Sequence, residues 1–368
     1  MTIDLDSVLK EAADQGASDV HLTAGLPPQL RVHGHWHSTE APPLTADDCR
    51  RLARPLFRNE DAWSRFLETW EHDTSYSIPR VGRFRVNLFF QRGSIGVACR
   101  ALPREIPHFR NLGLPVATMR ELSDAKQGLI LVCGPTGSGK TTTLAAMIDH
   151  INRTRRAHIV TLEDPIEFLH RHDKSIVDQR EVGLDTRSFV TAMRHVLRQS
   201  PDVVLVGEIR DQETISTALS LAETGHLVLS TIHSGEVVQG LSRITDMFPP
   251  GQQDEIRVTL AAVLKAMIVQ QLVPCEGGEK QRALAYELLL TNRAVQNLVR
   301  TGRYNQVYSQ LETQQSTGMR TMNESLLELW QEGIITRESA LSRSPQPREL
   351  ERSLAASGTA SKFGGRRQ

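Results

Sequence analysis

The residues Gly134-Pro135-Thr136-Gly137-Ser138-Gly139-Lys140-Thr141 spell G-x-x-x-x-G-K-[ST], with Thr142 directly after them. Such a run does phosphate chemistry when a strand leads into it and a helix leads out. Glycines at 134, 137 and 139 let the backbone curl until several N–H groups point at one anion, and a helix N-terminus adds positive potential. Lys140 then reaches the β- and γ-phosphates of ATP, and the Thr141 hydroxyl ligates Mg²⁺. Three more residues have types suited to the same reaction. Glu208, in Val206-Gly207-Glu208, is the candidate for orienting and activating an attacking water, at a place where aspartate is more usual. Glu163 opens the acidic box Glu163-Asp-Pro-Ile-Glu167; it either holds Mg²⁺ through water, supports Glu208, or makes a structural ion pair. His233 is either a γ-phosphate sensor or a histidine hydrogen-bonded inside the core.

The elements that must hold these residues are written around them. Leu129-Ile130-Leu131-Val132-Cys133 suits a short buried strand, and Thr142 to Ile148 begins a helix. Ala157 to Leu162, Asp202 to Val206 and Leu227 to Ile232 are further strand-like runs separated by helical patterns, and they lead into Glu163, Glu208 and His233. This alternation predicts a largely parallel sheet covered by helices, with ligands at the carboxyl ends of its strands. A helix capped by Asp185 or Thr186 buries Phe189, Met193, Val196 and Leu197 and sets Arg194 and Arg198 on one face. His226 and His233 bracket an extended segment at an odd separation, which turns them to opposite faces and argues against a shared metal.

The amino-terminal third reads as a smaller α+β domain, residues 1–107. Leu5, Val8, Leu9 and Ala12 mark a helix, and residues 18–22 and 29–33 mark strands. Positions 45–71 read as helical, with Leu52, Leu56, Trp63, Phe66, Leu67 and Trp70 in the core. Phe84 to Phe90 and Ile95 to Leu102 form a hairpin across Arg92-Gly93-Ser94. Arg83, Arg85 and Arg100 sit on or beside these strands, where they either reach toward a bound nucleotide or line a solvated face. The segment from Pro103 to Pro115, with three prolines and Gly113, marks a linker, set at 108–117, to the ATPase domain, 118–342, whose last helix carries Met322, Leu326, Leu329 and Trp330. The tail, 343–368, turns to Ser, Pro, Arg and Gly and is expected to be largely mobile.

A chain of 368 residues exceeds one ordinary core, and 39% hydrophobic with 23% charged residues is globular. Its 43 basic and 43 acidic residues cancel, so no bulk charge draws it onto nucleic acid or an acidic membrane. Cysteines at 49, 99, 133 and 275 form no C-x-x-C pair, which argues against zinc and for a reduced compartment. No apolar run approaches about 18 residues and the amino end lacks a basic start, so a cytoplasmic protein is expected, touching a membrane only through partners.

Together these motifs resemble the secretion-type ATPases, most closely the PilT-type retraction ATPases of type IV pili. The phosphate loop, the acidic box, Leu197 to Asp211, Ala222-Glu-Thr-Gly-His226 and His233 occur in that family's order, as do Gly16 to Leu22 and Arg83-Phe-Arg-Val-Asn87. The resemblance implies a RecA-like P-loop ATPase domain with a smaller amino-terminal PAS-like domain, arranged as a homohexamer. It also implies that ATP hydrolysis drives pilin subunits out of the fibre through an inner-membrane platform protein, that Arg83, Arg85 and Arg100 help hold the nucleotide, and that a paralogous retraction ATPase is a further partner. Paired zinc motifs and a longer amino-terminal extension, which mark extension ATPases, are missing, and no zinc or nucleic acid is expected. The family's A-I-R-N-L-I-R-E helix reads Ala294-Val-Gln-Asn-Leu-Val-Arg-Thr301 here, which keeps a PilU-like accessory role open. Two readings of other kinds stand beside it. One is a RecA-like nucleic-acid translocase, against which 5% aromatic content and zero net charge weigh. The other is a slow subunit that binds ATP only to assemble.

Overall fold

The computed structural model describes residues 3–103, 105–277 and 281–363; Met1, Thr2, Arg104 and tail residues 364–368 of the ranges above lie outside it. It divides into two units, Met1–Glu105 with Glu167–Leu169, and Ile106–Ile166 with His170–Gln368.

In the first unit, helix α1 (Leu5–Asp14) starts at Asp4, whose side chain accepts from Ser7 N–H, and buries Leu5, Val8, Leu9 and Ala12. Six strands follow among the described residues: β1 (Asp19–Leu22), β2 (Gln29–Val32), β3 (His35–Ser38), β4 (Glu71–Ile78), β5 (Gly82–Gln91) and β6 (Ser94–Ala101). They make one antiparallel sheet in the order β3-β2-β1-β6-β5-β4. Phe84, Val86 and Leu88 alternate into the core, so Arg83, Arg85 and Asn87 take the other face. Arg92 and Gly93, at φ 47° and 76°, close the β5–β6 hairpin as a two-residue turn whose twist suits the strands.

The region 45–71 is not one helix. It breaks at Pro55 into α2 (Ala46–Ala53) and α3 (Glu60–Thr69), each with its own side-chain N-cap, Thr45 and Asn59. Trp70, expected in the core, is 63% exposed: it ends α3 in the left-handed region at φ 65°, and the chain turns there into β4. Strands β3 and β4 were not foreseen.

In the second unit the helices are α4 (Val116–Ser123), α5 (Lys140–Thr154), α6 (Phe189–Val196), α7 (Gln212–Glu223), α8 (Val237–Asp246), α9 (Gln253–Val263), α10 (Arg293–Arg300), α11 (Val307–Thr313), α12 (Met322–Gln331), α13 (Arg337–Arg343) and α14 (Pro347–Phe363). The strands are β7 (Gly128–Cys133), β8 (His158–Glu163), β9 (Ile176–Glu181), β10 (Val203–Val206), β11 (Leu227–Ile232), β12 (Leu264–Pro274) and β13 (Arg282–Leu290). They form a sheet ordered β13-β12-β7-β11-β10-β8-β9, parallel except for the β12–β13 pair. Every residue of β7, β10 and β11 is buried, because both faces are covered. Leu129, Leu131 and Cys133 of β7 pack with residues of α6 to α9, whereas Ile130 and Val132 pack with Met147, Ile148 and Ile151 of α5.

Four expectations change here. The stretch taken as a linker buries Phe109 and Leu114 in the core under α5, since two apolar anchors outweigh its prolines. The N-cap of α6 is Ser188, which accepts from Thr191 N–H; Asp185 instead accepts from Glu181 N–H, at 2.9 Å. Leu197 lies in a short turn beyond the end of α6 and is 44% exposed, so it leaves the buried stripe. The tail is not irregular before residue 357, because α14 buries Leu350 and Leu354 against the second core.

Candidate functional site

Strand order places the chemistry. β7, β11, β10 and β8 are neighbours and run parallel in register, with Cys133 opposite Ile232, Ser230 opposite Val206, and Val206 opposite Leu162. The chain therefore leaves the sheet along one edge at Gly134, His233, Gly207 and Glu163. Residues distant in sequence meet there because parallel strands end on the same side.

The loop after β7 has the backbone its glycines permit. Gly134, Gly137 and Gly139 have φ of 141°, 77° and 90°, and Gly139 leads straight into α5 at Lys140. At Gly134 a Cβ would stand 2.4 Å from Gln270 O and 2.6 Å from Ser138 Oγ, so the first turn also needs a residue without a side chain. The Lys140 ammonium donates to Gly134 O and Pro135 O, both at 3.0 Å. Ser138 Oγ is buried with no hydrogen-bond partner among the described residues. Below the loop, Gln270 on β12 donates to Thr143 Oγ1 at 2.8 Å and ties α5 to the next strand.

Glu208 sits between two bases. His233 Nε2 is 3.0 Å from one carboxylate oxygen and Arg210 Nη2 is 2.7 Å from the other. Burial by itself would raise its pKa, but the Arg210 hydrogen bond and the charges of His233, Arg210 and Lys140 outweigh it and hold Glu208 below the ordinary glutamate range. An anion that stays ionised in this way orients a water by accepting its hydrogen bond and is a weak base for its proton. Glu163 is buried; Thr161 Oγ1 donates to it at 2.7 Å and Gln179 Nε2 at 3.1 Å, and these two donors fix the carboxylate.

The second unit thus assembles Gly134 to Thr142, Glu163, Glu208 and His233. Arg83, Arg85 and Arg100 belong to the first unit. Arg85 and Arg100 face each other across β5 and β6, and Arg100 pairs with Asp19 at 3.0 Å. Arg83 donates to Ser75 Oγ at 2.6 Å and to Ser77 Oγ at 3.3 Å. Arg194 pairs with Glu213, and the His226 ring bonds Leu221 O and Thr224 Oγ1 at the turn before β11. Sequence reasoning gave Arg210 no part, although it stands two residues after Glu208; Thr161 and Gln179 carried no signal, since only the pairing of β8 with β9 brings Gln179 to Glu163.

The residues fit a nucleoside triphosphate: a curled glycine backbone that a Cβ would fill, an unpartnered buried hydroxyl, one lysine, and a hydroxyl at the first turn of α5. Among the described residues no group of three or more His, Cys, Asp or Glu could hold a metal ion by itself. Magnesium bound with a nucleotide draws most of its ligands from phosphate and water, so a hydroxyl and a nearby carboxylate are enough.

Comparison with known proteins agrees with this geometry. Residues 1–343 match the family described as type II/IV secretion system protein. The chain is 42% identical over 345 residues to the type IV pilus retractation ATPase PilT of Pseudomonas aeruginosa, covering 94% of this chain and 99% of the relative. It is 37% identical over 348 residues to the type IV pilus ATPase PilU of the same organism, covering 95% and 90%. Among solved structures it is similar to the pilus retraction motor PilT with bound ADP, at a TM-score of 0.87 and 48% identity over 95% of this chain and 99% of that one. The mixed α/β fold and the retraction-ATPase resemblance read from the sequence are borne out.

Proposed function

The chain belongs to the type II/IV secretion system protein family, and we propose on that footing how its residues work: it is an ATPase of type IV pilus retraction, and Glu208 aligns the water that cleaves the terminal phosphate. The observation that supports this most is the Glu208 carboxylate, kept ionised between His233 and Arg210 at the same sheet edge as the phosphate loop. Phosphoryl transfer asks a protein mainly for positioning and charge, and each residue here has one such task. The backbone of Pro135 to Thr142 takes the phosphates. Lys140 exchanges the carbonyls of Gly134 and Pro135 for phosphate oxygens. His233 holds Glu208 and senses the γ-phosphate. Thr141, and Glu163 through water, would hold Mg²⁺, which would supply charge neutralisation. Arg83, Arg85 and Arg100 contribute further positive charge to the nucleotide.

Six copies form a ring on the cytoplasmic side of the inner membrane, where a platform protein of the pilus receives the work and a paralogous ATPase assists. No helix among the described residues is long and apolar enough to cross a membrane, which is consistent with attachment through partners. An accessory role of the PilU kind has less support, since identity to that relative is 37% against 42%. Deleting the gene and scoring surface fibres and twitching tests the reading: fibres kept with movement lost are expected, restored by the wild-type chain and not by Lys140→Ala. Cells without fibres would contradict it.

A further inference from the structure

We infer that Glu287 is a positioning residue for hydrolysis, its carboxylate fixing the turn that carries His233 and, through His233, the Glu208 carboxylate. The inference rests on the reading of Glu208 given above.

Glu287 lies on β13, outside every motif of the sequence, and is 2% exposed. It occupies the row of the sheet that ends at the site: Glu287 pairs with Val269, Val269 with Cys133, and Cys133 with Ile232. Cys133 precedes the phosphate loop and Ile232 precedes His233. One Glu287 oxygen accepts from Val237 N–H at 2.7 Å, and the other, at 3.4 Å, from Met322 N–H. Val237 and Met322 are the first residues of α8 and α12, so one buried carboxylate meets two helix starts, where an anion is favoured.

The α8 contact is the one that reaches the site. Only Ser234, Gly235 and Glu236 separate His233 from Val237, and the ends of this turn are pinned: Arg243 of α8 donates to His233 O at 2.7 Å, and Ser234 Oγ donates to Glu236 O at 2.7 Å. Gly240 packs α8 so close that a Cβ there would stand 2.6 Å from the Met267 side chain of β12. α8 is therefore seated on the sheet, and Glu287 is the polar group that sets where it begins. Moving that start moves the His233 backbone and with it the 3.0 Å contact to Glu208. The contact to Met322 links the same carboxylate to the carboxyl-terminal helices.

The charged state of Glu287 is itself finely set. Burial, with a smaller push from Glu236 at the start of α8, raises its carboxyl to about 7 against the two backbone donors. Cys133 at the end of β7 and Tyr308 of α11 feel its charge in turn. The ionised form accepts from both helix starts, so turnover should rise with pH as this group loses its proton.

The test is steady-state ATP hydrolysis by the full chain. Glu287→Gln is expected to lower kcat roughly tenfold, short of the ~10²-fold that a 1 Å misplacement can cost, with KM for ATP changed less than about twofold. The rise of kcat near pH 7 should be reduced in the variant. In a double-mutant cycle, Glu287→Gln added to His233→Ala should cost nothing further, because it acts through His233. Should Glu287→Gln fail to fold, Val237→Pro removes the donor instead, at a first helical position where proline is tolerated and after an extended Glu236; the same kcat loss is expected. Additive losses with His233→Ala, an unchanged kcat across the pH range, or a loss confined to KM would overturn the inference. Wild-type turnover by Glu208→Gln would overturn the reading of Glu208 as well, whereas an inactive Glu208→Gln beside a fully active Glu287→Gln would overturn this inference alone.

Discussion

Glu208 is 19% exposed at its side chain and takes a histidine on one oxygen and an arginine on the other. Arg210 is 75% exposed, so its charge is screened by salt and its effect belongs to dilute buffer. Removing it takes away one of the forces that hold the carboxyl low, and the carboxyl rises toward the ordinary glutamate range. An Arg210→Ala chain should therefore lose kcat at a higher pH on the acid side than the wild type, and more so at low salt; superimposable acid limbs would show that Arg210 does not tune this group. The residue types at this site were legible because phosphate chemistry restricts them: Lys140, Thr141 and two carboxylates at strand ends have few alternatives. Arg210 was not, because nothing in Glu-Ile-Arg says that residues two apart in a loop fold back on one another.

The elements of the second unit show where local preference ends. β7, β10 and β11 are mostly apolar runs bounded by loops, with only Ser230 and Thr231 polar in β11, and they were readable as buried strands. β13 was not, since Arg-Ala-Leu-Ala-Tyr-Glu-Leu-Leu-Leu is rich in helix formers and becomes a strand only by pairing with β12 from Ala266 to Pro274. β9 was missed for the opposite reason: Ile-Val-Asp-Gln-Arg-Glu is too polar for a central strand, and it lies at the sheet edge, where charge is normal. Packing also separates the loop glycines. Gly134→Ala drives a methyl into Gln270 O and should cost roughly 1–3 kcal/mol of strain, whereas Gly137, with nothing within 4 Å, bears only the conformational cost of alanine. Thermal melts of the two variants should rank them in that order. A Gly134→Ala protein as stable as the wild type would mean that the loop adjusts freely and that Gln270 does not set its position.

At the scale of the molecule, each of the two units has its own core, and two domains were legible from the length of the chain and from the prolines at 103, 107 and 115. The boundary was harder to see than the parts, because Phe109 and Leu114 turn a proline-rich stretch into part of the second core. The same held at the carboxyl end, where two leucines spaced four apart in a polar tail seat α14. Leu350→Ala or Leu354→Ala should cost about 2–5 kcal/mol each, as buried leucines do, and melting of the full chain should report it; unaltered melting would return α14 to the solvated tail expected from composition.

The central claim is that the acid at 208 lines up water for a phosphate held by the loop. Loading purified Glu208→Gln with ATP and identifying the nucleotide it retains tests this most directly. Retained ATP, with turnover lowered about 10²-fold or more as befits the loss of a positioning group, is the expected result. Recovery of ADP at the wild-type rate would contradict it.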